Sequence, residues 1–128
     1  MSESLILYHG TSHARADTIE ATGFNFIKRQ HRALSFGDGV YFYRDLDKAR
    51  EFAEGDHESN ACVLEVEVNV PGNRLRVFNG SEILNDPSFF NQTAARENAL
   101  VLDLTRDNGI YVVRPEGLSL ISVRQRHI

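Results

Sequence analysis

From Cys62 to Val70 the chain alternates without a break: Leu64, Val66, Val68 and Val70 fall on one side, and Val63, Glu65, Glu67 and Asn69 on the other. Successive side chains of a strand point to opposite faces, so this run predicts a half-buried β-strand, closed by the turn pair Pro71-Gly72. On that reading Glu65 and Glu67 are the solvated side of the strand, not a pair of working carboxylates. The segment commits the chain to a sheet covered on one face.

Other short runs supply partners for it. Leu5–Tyr8 is a strand that breaks at His9-Gly10-Thr11. Val40–Tyr43, Leu75–Phe78, Ile110–Val113 and Leu118–Val123 are further strands, the last two separated by Arg114-Pro115-Glu116-Gly117 as a hairpin. Ala14 to Ala21 reads as a helix stopped by Gly23 in a left-handed C-cap. Asp45 caps a helix running to about Glu54, with Leu46, Ala49, Ala53 and Phe52 as its apolar positions. Thr93 to Thr105 reads as a third helix, with Asn108-Gly109 turning the chain out of it, and Phe24 to Phe36 as a loop. Strands and helices do not alternate regularly, so the expectation is an α+β domain with a mostly antiparallel sheet and flanking helices. No G-x-G-x-x-G follows a strand, which argues against a dinucleotide-binding fold of the doubly wound kind.

Size and composition narrow the class. The 128 residues suit one domain spanning the whole chain, 1–128. The longest apolar runs are far short of a membrane span, and the N-terminus lacks the pattern of a secretory leader. Cys62 is the only cysteine, so an internal disulfide and a cysteine-based zinc site are excluded. It reads as a small core residue in a cytoplasmic protein. His13, His31, His57 and His127 show no metal-ligand spacing, and no metal is expected. The net charge of −4 makes broad nucleic-acid affinity an unlikely default. Two basic clusters stand against that balance: Lys28, Arg29, His31 and Arg32, and then Arg124, Arg126 and His127. They read as a solvated loop and a solvated tail.

Two segments carry the chemistry. One is Leu7-Tyr8-His9-Gly10-Thr11; the other is Gly37-Asp38-Gly39-Val40-Tyr41-Phe42, followed by a helix with Ala49 and Phe52. In this order, each at a strand edge, they resemble the catalytic core of the diphtheria-toxin-like and poly(ADP-ribose)-polymerase-like ADP-ribosyltransferases. The resemblance spans about Leu5 to Val123. It implies the split, mostly antiparallel sheet of that fold and NAD⁺ as substrate. It also implies that His9 bonds the adenine-side ribose, that the backbone of Gly10 holds the nicotinamide amide, and that the Thr11 hydroxyl orients the dinucleotide. Tyr41 and Phe52 would form the two walls of the nicotinamide slot. Ala49 stands where better-known members carry a serine that bonds the amide, so one contact is missing.

The third member of the family's triad aligns with Ile110, which brings no carboxylate. Members with an aliphatic residue there are mono-transferases or inactive, so polymerisation is not expected. Glu116, Asp107 and Glu97 are the candidates to supply a carboxylate, Glu116 first because it lies in the same hairpin as Ile110. The resemblance thus implies mono-ADP-ribosylation: cleavage of the nicotinamide–ribose bond of NAD⁺ and transfer of ADP-ribose to a protein, RNA or DNA acceptor. The small, bare core fits a toxin or defence effector with a cognate inhibitor. Lys28, Arg29 and Arg32 lie in the segment where the family places its acceptor-facing loop. Two other readings stand beside this one. The chain could be a non-catalytic NAD⁺ or ADP-ribose-binding module, or an RNA 2′-phosphotransferase, which would want more arginines around the site.

Overall fold

The computed structural model describes residues 2–26, 35–83, 86–106 and 108–127. Lys28, Arg29, His31, Arg32 and Asp107 lie outside the described residues, as does most of the Phe24–Phe36 loop. The strands are β1 (Ser2–Ser12), β2 (Val40–Tyr43), β3 (Ala61–Pro71), β4 (Leu75–Val77), β5 (Val101–Asp103), β6 (Ile110–Val113) and β7 (Ile121–His127). The helices are α1 (His13–Thr22), α2 (Leu46–His57) and α3 (Pro87–Glu97), joined by short 3₁₀ turns. The fold is α+β. One seven-stranded sheet runs in the order β4-β5-β6-β2-β1-β3-β7, antiparallel throughout except for the parallel pair β4–β5.

The alternating segment is β3, and it is the spine of the sheet. It pairs with β1 along the whole of that strand, Ser2↔Pro71 to Ser12↔Ala61, and with β7 on its other edge. Leu64, Val66, Val68 and Val70 are fully buried, as the alternation requires. They join Leu7, Phe42, Val113 and Ala16 of α1 in one core on one face of the sheet. A second core lies on the opposite face at the β5–β6 end, where Phe78, Phe90, Ala94, Leu102, Leu104 and Val112 pack together.

Several expectations are corrected, each for a local reason. The strand at Leu5–Tyr8 does not break at Gly10; it runs on to Ser12, whose side chain accepts a bond from Arg15 N at 3.2 Å and caps α1. Gly23 does end α1 with positive φ, but at φ 85°, ψ 174°, outside the left-handed helical region. Asp45 precedes α2 without a side-chain capping bond. The helix expected over Thr93–Thr105 lies earlier. Pro87 starts it, the Asp86 carboxylate accepts from Phe89 N at 3.3 Å, and Asn98 stops it at φ 58°. Val101–Asp103, the second half of that span, is a strand.

The last two strands form no hairpin. β6 pairs with β2 and β5, whereas β7 lies beyond β3, and a 3₁₀ turn, Pro115–Leu120, covers the distance. The strand expected at Leu118–Val123 is therefore β7, which starts at Ile121. Nor is the C-terminal basic cluster a solvated tail. Arg126 pairs with Asp17 and Glu20 of α1, and Arg124 and His127 both reach Glu65.

Glu65 is the clearest departure from simple alternation, because it is buried on the face that the pattern assigns to solvent. Its carboxylate accepts from His127 Nε2 at 2.9 Å and Gln125 Nε2 at 3.1 Å, with Arg124 Nε at 3.2 Å. A β-bulge in the β3–β7 pairing at Glu65/Val66 lets these close neighbours converge on one group. The partners hold the carboxyl below its usual range, with the His127 bond foremost and burial opposing it.

Candidate functional site

The sheet is nearly divided between β1 and β2. These strands share one register pair, Tyr8↔Tyr43, beyond which β1 continues without β2. The next residue along β1 is His9, and its Nδ1 lies 2.9 Å from the carbonyl oxygen of Tyr41. A carbonyl only accepts, so Nδ1 carries the proton in this bond. The imidazole thus supplies a donor where the ladder between the backbones has stopped. Phe24 and Phe42 hold its ring, with centroids at 5.3 and 5.4 Å. His9 and Tyr41, which lie on separate sequence motifs, are brought into direct contact.

The opposite face of the division is built from one row across the sheet. Ile110, Tyr43, Tyr8, Glu65 and Gln125 are successive pairing partners on β6, β2, β1, β3 and β7. Paired residues share a face, and α2 lies on it. Gly10 is where the helix touches down: a Cβ there would stand 2.4 Å from the carbonyl oxygen of Ala49 and 3.0 Å from Ala53 Cβ. The missing Cβ at Gly10 therefore admits α2, a role that the motif alone does not disclose. Ala49 is fully buried by the same contact. Thr11 is also buried, 2% exposed, and pairs with Cys62. The Cys62 thiol is buried and pushed up, chiefly by that burial, which fits a core residue and not an activated nucleophile.

Tyr41 is held by the turn before it. Its hydroxyl donates to Gly37 O at 2.7 Å and accepts from Phe36 N at 2.9 Å, and its ring stacks on Phe36 at 6.1 Å. Burial, as the largest cause, pushes the phenol up to about 12. Phe52, the second expected wall, makes its ring contact with Tyr43, at 5.9 Å and 45°. Phe52 is 48% exposed. Burial raises the Tyr43 phenol, and the negative charge of Asp56 adds to it.

Two residues missed by the motif reading fix the turn at its other end. Asn91 Oδ1 of α3 accepts from Asp38 N at 2.8 Å and from Arg114 Nη1. Arg114 Nη1 also donates to Asp38 O at 3.2 Å. Arg114 is 8% exposed, and its Nε is buried without a hydrogen-bond partner among the described residues. A lone arginine in Arg-Pro-Glu-Gly looks like a turn residue in sequence. Only its position beside the Gly37–Gly39 turn reveals the network.

The carboxylate candidates fare differently. Ile110 begins β6 opposite Tyr43. Glu116 follows the other end of that strand, with 63% of its side chain exposed and its carboxylate 3.9 Å from Arg114 Nη2. The hairpin that recommended it does not exist. Glu97 closes α3 and pairs with Arg76 at 3.1 Å. Among the described residues no three histidine, cysteine or carboxylate side chains are grouped as a metal site requires. No described helix is long and apolar enough to cross a membrane. An open groove of about 590 Å³ starts at Ser12 and His13, just past the first motif, and is bordered by Asp56, His57, Glu58 and Asn60. Compared with known proteins, the chain matches no family model, and no curated protein matches it.

Proposed function

We propose that the chain is a mono-ADP-ribosyltransferase of the diphtheria-toxin-like and poly(ADP-ribose)-polymerase-like kind, with NAD⁺ as its substrate. The observation that carries this reading is the contact between His9 and Tyr41 at the one place where β1 and β2 part. Two short motifs, separated by more than a helix, converge there. Tyr43 and Phe52 flank the point on the α2 face. A dinucleotide lying across the division would meet the imidazole on one face of the sheet and the aromatic rings on the other.

Cleavage of the nicotinamide–ribose bond sends the bonding pair out with nicotinamide and leaves oxocarbenium character at the ribose C1. The acceptor then attacks C1 and loses its proton. The protein's part is to hold the ribose and the ring while the bond lengthens, which is positioning in the main. With Ile110 aliphatic and Glu116 exposed beside Arg114, the described residues offer little to extend a polymer, and a single transfer is the expected product. The acceptor is a protein, RNA or DNA group in a cytoplasmic setting, and a toxin or defence role with a cognate inhibitor fits the small size.

NAD⁺ labelled on the adenylate phosphate, incubated in a lysate with wild type and His9→Ala, tests this. Label should enter the protein or the nucleic-acid fraction with wild type and be lost with the variant. Label in neither fraction, under conditions where calorimetry detects NAD⁺ binding, would replace the enzyme with a non-catalytic NAD⁺ or ADP-ribose-binding module. Ile110 and the close seating of α2 on Gly10 favour that second reading.

A further inference from the structure

We propose that Asn91 and Arg114 are positioning residues for His9. Acting through the Asp38 peptide groups and Tyr41, they set the tautomer and the facing of an imidazole on another strand. The inference rests on His9 serving the NAD⁺ site, as proposed above, and extends that site to α3 and the end of β6.

Among the described residues β1 and β2 share a single register pair, Tyr8↔Tyr43, so their ladder does little to fix where β2 stands beside His9. The Tyr41 carbonyl, which accepts from His9 Nδ1 at 2.9 Å, has to be placed from elsewhere. One support is β6, which pairs with all four residues of β2. The other is the turn in front of β2. Tyr41 donates its hydroxyl to Gly37 O and accepts from Phe36 N, so its ring is tied to that turn.

The turn is held at both peptide groups of Asp38. Its N–H donates to Asn91 Oδ1 at 2.8 Å, and its carbonyl accepts from Arg114 Nη1 at 3.2 Å. The same Nη1 donates to Asn91 Oδ1, which closes the three residues into one network. Arg114 is itself anchored through its backbone: its N–H donates to Leu100 O and its carbonyl accepts from Gly117 N, both at 2.8 Å. The turn also has no slack around it. A Cβ on Gly37 would stand 2.7 Å from Asn91 Oδ1, and one on Gly39 would stand 2.5 Å from Val113 O. Burial comes first in raising the Tyr41 phenol, and the charges of Asp38 and Arg114 then act on it in opposite senses.

What this placement sets at His9 is which nitrogen carries the proton. A neutral imidazole donates through one nitrogen and accepts through the other, and the bond that one makes decides the role of the other. With Nδ1–H on the Tyr41 carbonyl, Nε2 is the accepting nitrogen. A ribose hydroxyl of NAD⁺ is a donor that such a nitrogen suits. If the turn shifts and the carbonyl withdraws, the preference between the two tautomers goes with it.

Heteronuclear NMR of the imidazole nitrogens, recorded without ligand well above the ordinary histidine value of about 6.5, reads the tautomer directly. His9→Ala identifies the His9 signals, and His13 of α1, His57 of α2 and His127 of β7 serve as controls. Wild type should show His9 with its proton on Nδ1. Asn91→Ala and Arg114→Met should each move His9 toward a mixture of tautomers and leave the controls in place. Asn91→Asp, which keeps the accepting oxygen, should restore the wild-type signal. Should one variant fail to fold, the other carries the test. In the labelled lysate, transfer should fall at least about tenfold with Asn91→Ala and recover with Asn91→Asp. An unmoved His9 signal in folded Asn91→Ala and Arg114→Met would overturn the proposal, whatever becomes of transfer. Control signals that move as far as those of His9 would also overturn it, reducing both residues to general supports of the fold. A His9 signal that moves alone, in a protein that neither binds NAD⁺ nor transfers label, would uphold the positioning role and remove the NAD⁺ reading.

Discussion

Strand β1 has two edges, and the protein treats them in opposite ways. Toward β3 every residue from Ser2 to Ser12 has a partner, and β3 is paired again on its far side by β7. Toward β2 there is one rung, and beyond it a histidine side chain meets the neighbouring carbonyl. The first edge is held by backbone and by valines packed at zero exposure. The second depends on individual side chains: His9 past the last rung, Gly10 under α2, and Tyr41, Asn91 and Arg114 around the turn. Backbone pairing builds a wall that any alternating sequence could make. Side-chain pairing makes an edge that depends on which residues are present, and the motif residues sit there.

The comparison breaks most directly at Gly10. Alanine there would press its Cβ to 2.4 Å from a helix carbonyl, so α2 must lift from β1. Overpacking against backbone costs about 3 kcal/mol, read as a shift of the urea midpoint. A cost below about 1 kcal/mol would show that α2 is not seated on this residue. Next comes Arg114→Met. It strips Asn91 Oδ1 and Asp38 O of a buried cation's donor and should cost about 2–3 kcal/mol. Combined with Asn91→Ala it should be clearly non-additive. Additive losses would mean that the two do not act together on the turn.

Tyr41→Phe removes one hydroxyl that serves two backbone groups, and about 1–2 kcal/mol is expected. It also carries a pH signature. The folded phenol, pushed up to about 12, lies above the ordinary tyrosine value near 10. Its contribution is therefore complete below about pH 10 and is lost as the pH rises from there through the folded value. Denaturation of wild type and Tyr41→Phe should converge over that interval, and a constant gap would contradict the buried, bonded hydroxyl. At the acid end Glu65 acts in the opposite sense. Its carboxyl is held low, so its contribution is present above the unfolded carboxylate value and fades as pH falls through the folded one. Glu65→Gln should flatten the acid limb of the stability profile.

These two regions also differ in how far the sequence discloses them. The β3 strand could be read almost residue by residue, because alternation is a local signal that burial on one face enforces. Pairing is not local. Nothing in Ile110–Val113 or Ile121–His127 says that the two strands lie at different places in the sheet, so a hairpin was the natural expectation. Glu65 misled for the same reason: its partners are some sixty residues away on β7. The motif residues His9, Tyr41 and Phe52 could be picked out, but not their facing. Which tyrosine meets Phe52, and what fills the space at Gly10, depend on where α2 lands. Asn91 and Arg114 had no sequence signal, since each acts through a turn that other residues define.

The smallest effects sharpen the comparison because they set one side chain on each edge against the other. Arg124 is half exposed and shares Glu65 with Gln125 and His127. Arg124→Ala should therefore cost no more than about 0.5 kcal/mol, since exposed pairs contribute little and the carboxylate keeps two donors. His9→Ala removes the bond to Tyr41 O, and among the described residues no β1–β2 rung lies beyond Tyr8↔Tyr43 to share the load. About 1 kcal/mol is expected, with faster amide exchange confined to β2. Equal costs at the two positions, or exchange that speeds up along β3 as well, would mean that the division between β1 and β2 is mechanically no different from the rest of the sheet. The unequal result places the softest backbone of the sheet beside His9 and Tyr41, at the one rung that joins β1 to β2.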